Sequence, residues 1–186
     1  MMRIITHLRT FCRNNGYDPV PVDVNQIVRD CFILISAQLK SNGIKIEMDL
    51  CKDGYMVLAD ANELEQVFIN LITNARDAMA GAADPCLSIR SAVQGDTILV
   101  EFHDNGSGIP DSVAEHIFDP FFTTKEVGKG TGLGLSISHG IIQKHGGSIK
   151  AANDDGAVFS IVLPLEGKQS RSISAKHATA MKRQAA

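Results

Sequence analysis

At 186 residues, with 44% hydrophobic and 21% charged positions, the chain has the size and composition of one ordinary globular domain and little more. No apolar run approaches a membrane span: the best, Cys31-Phe-Ile-Leu-Ile35, stops at Ser36, and Arg3 and Arg9 flank no apolar stretch of signal-peptide type. The net charge of −3 splits into +4 on residues 166–186 and −7 on the rest, and so acidic a body argues against nucleic-acid binding.

In chain order, residues 3–14 place Ile4, Ile5, Leu8, Phe11 and Cys12 at helical spacing, predicting a short amphipathic helix. Asn14-Asn-Gly16 and Asp18-Pro19 end it, and Pro21 marks a linker. A second helix is expected from Asp23, its N-cap, to Asn42-Gly43, with Ile27, Cys31, Ile35 and Leu39 on one side. Ile44-Lys-Ile46-Glu-Met48-Asp-Leu50 alternates as a half-buried strand. Asp60-Ala-Asn-Glu63 is a capping-box pattern opening a helix that reaches Met79. Strands over 86–93 and 97–103 are joined by Gly95-Asp96, a hairpin signal.

Pro110 starts a short helix ending near Ile117, and residues 119–132, rich in Thr, Lys and Gly, read as a mobile loop. A helix over 133–145 is closed by Gly146-Gly147, and strands over 148–153 and 157–163 finish at Pro164. The basic tail, 166–186, has no helix-long apolar stripe and reads as disordered. Alternating helices and strands with strand hairpins predict an α/β fold, a two-layer sandwich of one mixed sheet and about three helices. Cys12, Cys31, Cys51 and Cys86 lack any C-x-x-C spacing and read as reduced core cysteines of a cytoplasmic protein without direct membrane contact.

Four short motifs carry the chemistry. On the helix over 60–79, Leu64, Val67, Phe68, Leu71, Ile72 and Ala75 make an apolar stripe, while Glu63, Gln66, Asn70, Asn74 and Asp77 make a polar one. By itself the box Asn70-Leu-Ile-Thr-Asn74-Ala75 suits a solvated face. An Asn carbonyl is nevertheless a hard oxygen ligand that adds no negative charge beside phosphates. Asp104-Asn-Gly106-Ser-Gly108-Ile109 follows the apolar strand Ile98-Leu-Val-Glu-Phe102 and fits either a plain turn or a carboxylate with close backbone access.

Phe118-Asp-Pro-Phe-Phe122-Thr-Thr-Lys125 suits a lid hinge whose aromatic side docks on the domain. Lys125 and Lys129 follow as the nearest cations for a polyphosphate. Gly130-Thr131-Gly132-Leu133-Gly134-Leu135 lies just before a helix, whose N-terminal N–H groups bind phosphate. Its spacing fits neither a P-loop nor a Rossmann turn.

In this order the four boxes resemble the ATP-binding catalytic domain of sensor histidine kinases, over residues 22–164. The resemblance implies the Bergerat-type fold, with ATP and Mg²⁺ as ligands and transfer of the γ-phosphoryl group to a His. It implies Asn74 as the Mg²⁺ ligand with Asn70 in support, Asp104 as acceptor of the adenine amine, and Asn70, Asn74 and Lys125 as the catalytic set. Asp77, Gly106, Gly108, Ile109, Lys125, Lys129, Gly130, Thr131, Gly132, Leu133, Gly134 and Leu135 complete the ATP-binding group.

Related gyrase-type and mismatch-repair ATPases have a Glu in the Asn70 position, where it activates water; an amide cannot take that proton. That alternative, and a degenerate nucleotide-binding interaction module, remain as competing readings. One departure stands out: Val158 precedes Phe159 where many family members have Thr, which implies a weaker water-mediated contact to the base.

In the family the accepting His lies on a helical-hairpin dimerisation domain, followed by an acid and then a Pro. His7 is followed by Leu8-Arg9-Thr10-Phe11 and is not expected to be the acceptor. Residues 1–21 read as the end of that hairpin's second helix plus a linker, 22–165 as the ATP-binding domain and 166–186 as the tail. The chain then reads as a fragment or stand-alone module. Its partners would be a histidine-bearing dimerisation domain, in the parent chain or in trans, and a response-regulator receiver, and the parent protein could be membrane-anchored.

Overall fold

A computed structural model describes residues 19–52, 55–125 and 130–166. The expected helix over 3–14, His7, Cys12, Lys129 and the tail beyond Glu166 lie outside these residues. Among the described residues no helix is long and apolar enough to cross a membrane.

The elements run β1 (Val20–Asp23), α1 (Val24–Ser41), β2 (Lys45–Asp49), β3 (Met56–Ala59), α2 (Ala61–Ala78), β4 (Cys86–Gln94), β5 (Thr97–Asp104), a 3₁₀ turn (Asp111–His116), α3 (Gly134–Lys144), β6 (Ser148–Asn153) and β7 (Ala157–Pro164). Five strands form one sheet in the order β2-β4-β5-β7-β6. The β2–β4 pair is parallel and the rest antiparallel, so the sheet is mixed as expected. The parallel pair needs a crossover, and α2 lies within it.

Strand alternation decides which face the helices cover. Ile98, Val100, Phe102 and Asp104 of β5 point inward with Ala157, Phe159, Ile161 and Leu163 of β7. Against them pack Val28, Cys31, Phe32, Ile35 and Leu39 of α1, the whole apolar stripe of α2, and Ile141 and Ile142 of α3. Phe68 of α2 meets Phe102 of β5 with ring centroids 5.4 Å apart. The Cys31 thiol, fully buried here, is pushed up to about 12 by loss of solvent, with Glu65 and Asp30 adding to the effect. Cys51 and Cys86 are only half-buried, so they are not core cysteines.

Caps set the helix boundaries. Asp23 accepts the Asn25 N–H at 2.9 Å, and Asp60 accepts those of Asn62 and Glu63 at 2.9 and 3.3 Å. Glu63 does not close the capping box. Its carboxylate instead takes Lys144 of α3, at 2.7 and 2.9 Å.

Three expectations change. Val20 and Pro21 are not linker: they belong to β1, which pairs with β3 in a two-stranded sheet. Pro21 is tolerated because an edge strand does not need its missing N–H. β2 is an edge strand rather than a half-buried one: Ile44 before it is buried, while Met48 is exposed. The helix at Pro110 is a single 3₁₀ stretch.

His145 ties two helices together. Its buried ring accepts the Asp60 N–H on Nε2 at 3.0 Å and donates from Nδ1 to the Ile141 carbonyl at 2.8 Å, which fixes the neutral Nδ1–H tautomer. Removing the ring strands the N–H of the residue that caps α2. His145→Ala is therefore expected to cost about 1–3 kcal/mol in urea denaturation. An unchanged midpoint would show that the contact is idle.

Candidate functional site

Helix α2 is the spine of the site. Its apolar stripe is buried, which forces Asn70, Asn74 and Asp77 onto the half-exposed flank, at three- and four-residue steps. All three of the other boxes reach this helix, and each reaches it at a different point.

Gly134, the first residue of α3, lies against Asn70: a Cβ there would sit 2.3 Å from Asn70 Oδ1. The Asn70 amide is oriented from the other side, where its Nδ2 donates to the buried Ser138 Oγ at 3.0 Å. Ser138 carries no signal in the sequence, because the pairing spans 68 positions.

Asp104 closes β5 and is 2% exposed. Its carboxylate accepts the Gly106 N–H at 2.9 Å and a second backbone N–H, from Ala157. Burial outweighs these bonds and holds its pKa above the ordinary carboxylate range. Gly106 is squeezed between Asp104 and the end of α2: a Cβ would lie 2.7 Å from the Ala78 carbonyl and 2.8 Å from Asp104 Oδ1. Ser107 N–H donates to that same Ala78 carbonyl at 3.2 Å.

Gly108 needs its freedom, at φ +68. Beyond it Asn153 of β6 clamps Ile109 through two bonds, accepting its N–H at 2.8 Å and donating to its carbonyl at 2.7 Å. Val158 faces away from Asp104, on the outer side of β7 opposite His103. The cross-strand neighbour of Asp104 is Ala157.

The Phe118–Lys125 segment packs through Phe118, on His139 of α3 at 5.4 Å between centroids, and through Phe122, on His116 at 6.2 Å. Phe121 does not dock: it is 75% exposed, with a left-handed backbone at φ 68. Gly132, at φ +67, approaches the Phe121 backbone so closely that a Cβ would be 2.3 Å from its carbonyl carbon. Gly130 is crowded likewise by Thr123 Oγ1 and the Lys125 stem. Thr131 Oγ1 accepts the Leu133 N–H at 3.4 Å, and Leu135 is half-buried against the core. No side chain caps the start of α3.

Lys125 Nζ rests on the flank of α2, 2.6 Å from Asp77 Oδ2 and 3.3 Å from Asn74 Oδ1. Burial pushes the Asp77 carboxyl up. The hydrogen bonds and charges of Lys125 and Arg76 outweigh it and leave Asp77 below the usual range. Four boxes separated in sequence thus converge: two amides, a buried carboxylate, a lysine and glycines packed too closely against their neighbours to carry a Cβ.

The comparisons agree with the fold. The family described as histidine kinase-, DNA gyrase B- and HSP90-like ATPase matches residues 59–167. The two-component sensor PprA of Pseudomonas aeruginosa is 39% identical over 171 residues, 88% of this chain and 18% of PprA. The sensor kinase CckA of Brucella abortus is 40% identical over 176 residues, 87% of this chain and 18% of CckA. The chain therefore spans under a fifth of the length of these relatives.

The catalytic domain of histidine kinase ThkA superposes with a TM-score of 0.72 at 33% identity, covering 79% of this chain and 95% of that domain. ThkA in complex with the response regulator TrrA superposes with a TM-score of 0.74 at 26% identity, over 90% of this chain and 48% of that one. The chain belongs to the histidine kinase-, DNA gyrase B- and HSP90-like ATPase family, in which its relatives are sensor kinases and its fold is that of their ATP-binding catalytic domain.

Proposed function

We propose that this domain binds Mg-ATP between α2, the Asp104 corner and the Gly130–Leu135 turn, and transfers the γ-phosphoryl group to a His on a separate dimerisation hairpin. The observation that carries the reading is the convergence of four boxes on α2, with Lys125 brought between Asn74 and Asp77.

Asp104 accepts the adenine amine, and Gly106, Gly108 and Ile109 give the purine its backbone-lined bed. Gly130, Thr131, Gly132, Leu133, Gly134 and Leu135 present N–H groups to the polyphosphate, with Lys125 supplying positive charge and Lys129 placed beside it in sequence. Gly106 and Gly134 leave no room for a Cβ because Ala78, Asp104 and Asn70 press against them, which holds the Asp104 corner and the glycine turn close against α2. Asn74 offers the hard amide oxygen that suits Mg²⁺, with Asn70 beside it. When bound, the ion neutralises phosphate charge. Phosphoryl transfer requires mainly position and charge neutralisation, both of which these side chains provide.

Asn70 also distinguishes transfer from hydrolysis. Its amide is engaged with Ser138 and cannot act as a base towards water. The phosphoryl group then passes to a protein acceptor and onward to a response-regulator receiver domain. Apart from Val20 and Pro21 in β1, the proposed reading of residues 1–21 is the end of the hairpin's second helix plus a linker. The body is the catalytic unit, and 166–186 is a basic tail.

The test is incubation with γ-labelled Mg-ATP, with the chain alone and with an isolated histidine-bearing dimerisation hairpin of a sensor kinase. Acid-labile, base-stable label is expected on the hairpin only, and none with Asn74→Ala. Label on this chain alone, or rapid ATP turnover without any acceptor, would overturn the reading.

A further inference from the structure

Arg76 is adjacent in sequence to Asp77, and neighbours one position apart on a helix do not face each other. Its guanidinium nevertheless folds back onto Asp77, with Nε at 3.0 Å and Nη2 at 2.7 Å from the same oxygen, Oδ1. The third donor, Nη1, is taken by Gln38 Oε1 of α1 at 3.1 Å. With Oδ1 held this way, Oδ2 is the oxygen left for Lys125, at 2.6 Å. The chain of contacts runs from α1 through α2 to the first residues of the lid: Gln38, Arg76, Asp77, Lys125, Asn74.

From this geometry we infer that Arg76, anchored by Gln38, is a positioning residue that orients the Asp77 carboxylate and through it delivers Lys125 to the nucleotide's polyphosphate. The inference rests on the nucleotide reading above and deepens it: Asp77 acts by holding Lys125 rather than by touching ATP.

Three physical points support this. A carboxylate with one oxygen fixed by two donors of one planar fork has lost its rotational freedom, so its second oxygen has a defined direction. Lys125 is a flexible point charge that a single surface pair would hold poorly. Here two acceptors on adjacent turns of one helix share its ammonium. The third point is charge: Asp77 alone would repel phosphates, and the two cations leave the trio at net positive charge.

Gln38 adds a link to α1, whose buried stripe fixes that helix on the sheet. The lysine that reaches ATP is thereby referenced to the core and not only to its own loop.

The experiment measures dissociation constants of the purified chain for Mg-ADP, a non-hydrolysable ATP analogue and AMP, by calorimetry. Lys125 serves the β- and γ-phosphates in this reading, so AMP controls for the adenine corner and for the fold. Arg76→Ala is expected to weaken ADP and the ATP analogue by about threefold to tenfold and to leave AMP unchanged. Gln38→Ala, a milder change that leaves α2 intact, is expected to weaken them in the same direction by less.

The decisive variant is Arg76→Ala combined with Lys125→Ala. If Arg76 acts through Lys125, the double variant binds ADP no worse than Lys125→Ala alone. Equal weakening of AMP and ADP, additive losses in the double variant, or wild-type affinity in both Arg76→Ala and Gln38→Ala would each overturn the inference while leaving the nucleotide site standing. Failure of the wild-type chain to bind any of the three would overturn the nucleotide reading and this inference with it.

Discussion

Asp104→Asn is expected to abolish the nucleotide response of this domain while leaving it folded. At about 100 times Kd, Mg-ADP adds roughly 2.7 kcal/mol to the stability of the wild-type chain. For a domain of this size that is a rise of about 5–10 °C.

The substitution is nearly isosteric, and its remaining carbonyl oxygen can still accept the Gly106 N–H that Asp104 Oδ1 accepts at 2.9 Å. The other oxygen becomes an amide NH₂. A donor then faces the donor of the adenine, and a buried unpaired pair of N–H groups costs more than one lost hydrogen bond. No shift with ADP, in a variant that still unfolds cooperatively, is the expected result. A normal shift would remove Asp104 from the site.

The raised pKa of Asp104 gives the same residue a pH signature. Burial, the dominant cause, penalises the charged form in the folded state. For a carboxyl raised on folding, the favourable contribution is full below the unfolded-state pKa and is lost as pH rises through the folded one. Ionised Asp104 is therefore a cost to the empty domain near neutrality, and Asn, which cannot ionise, removes that cost. The nucleotide needs the ionised form. Its affinity is expected to fall as pH drops through the raised Asp104 pKa, and Asp104→Asn should lack that dependence.

Much of this site is legible in the sequence because its parts are local. The polar and apolar stripes of α2 follow from one helical period, so Asn70 and Asn74 could be placed on a shared flank opposite Leu71 and Ile72 before any coordinates. Asp104 at the end of an apolar strand, and glycines at Gly106 and Gly134, are likewise local patterns, and the fold packs these glycines tightly against Ala78 and Asn70.

Long-range pairings leave no such trace. Nothing near Lys125 announces Asp77, 48 positions away, and nothing near Ile109 announces Asn153, 44 away. β1 and β3 are missed for a different reason. Each has four residues, too few for alternation to register, and Pro21 reads as a breaker wherever an edge strand cannot be foreseen. The weight placed on Val158 fails on a shift of one residue: strand alternation turns it outward and presents Ala157 to Asp104 instead.

Phe68→Ala is expected to produce the complementary defect, a large loss of stability with the nucleotide response preserved. Phe68 is fully buried in the middle of α2's apolar stripe and packs on Phe102, the residue two before Asp104 on the same face of β5. Truncating such a ring costs about 3–5 kcal/mol, because the transfer free energy is lost and the cavity closes only in part. That corresponds to a fall in melting temperature of about 6–20 °C.

The side chains proposed to meet the nucleotide project from the opposite flank of α2, away from Phe68. Saturating Mg-ADP should accordingly still add roughly 2.7 kcal/mol at 100 times its own Kd. The two variants together separate the two faces of one helix. Asp104→Asn keeps the fold and loses the ligand response, and Phe68→Ala loses stability and keeps it. If Phe68→Ala instead abolishes the ADP shift at temperatures where circular dichroism shows a folded domain, the stripes are not independent, and the site owes its geometry to the tightness of the core as well as to its own contacts.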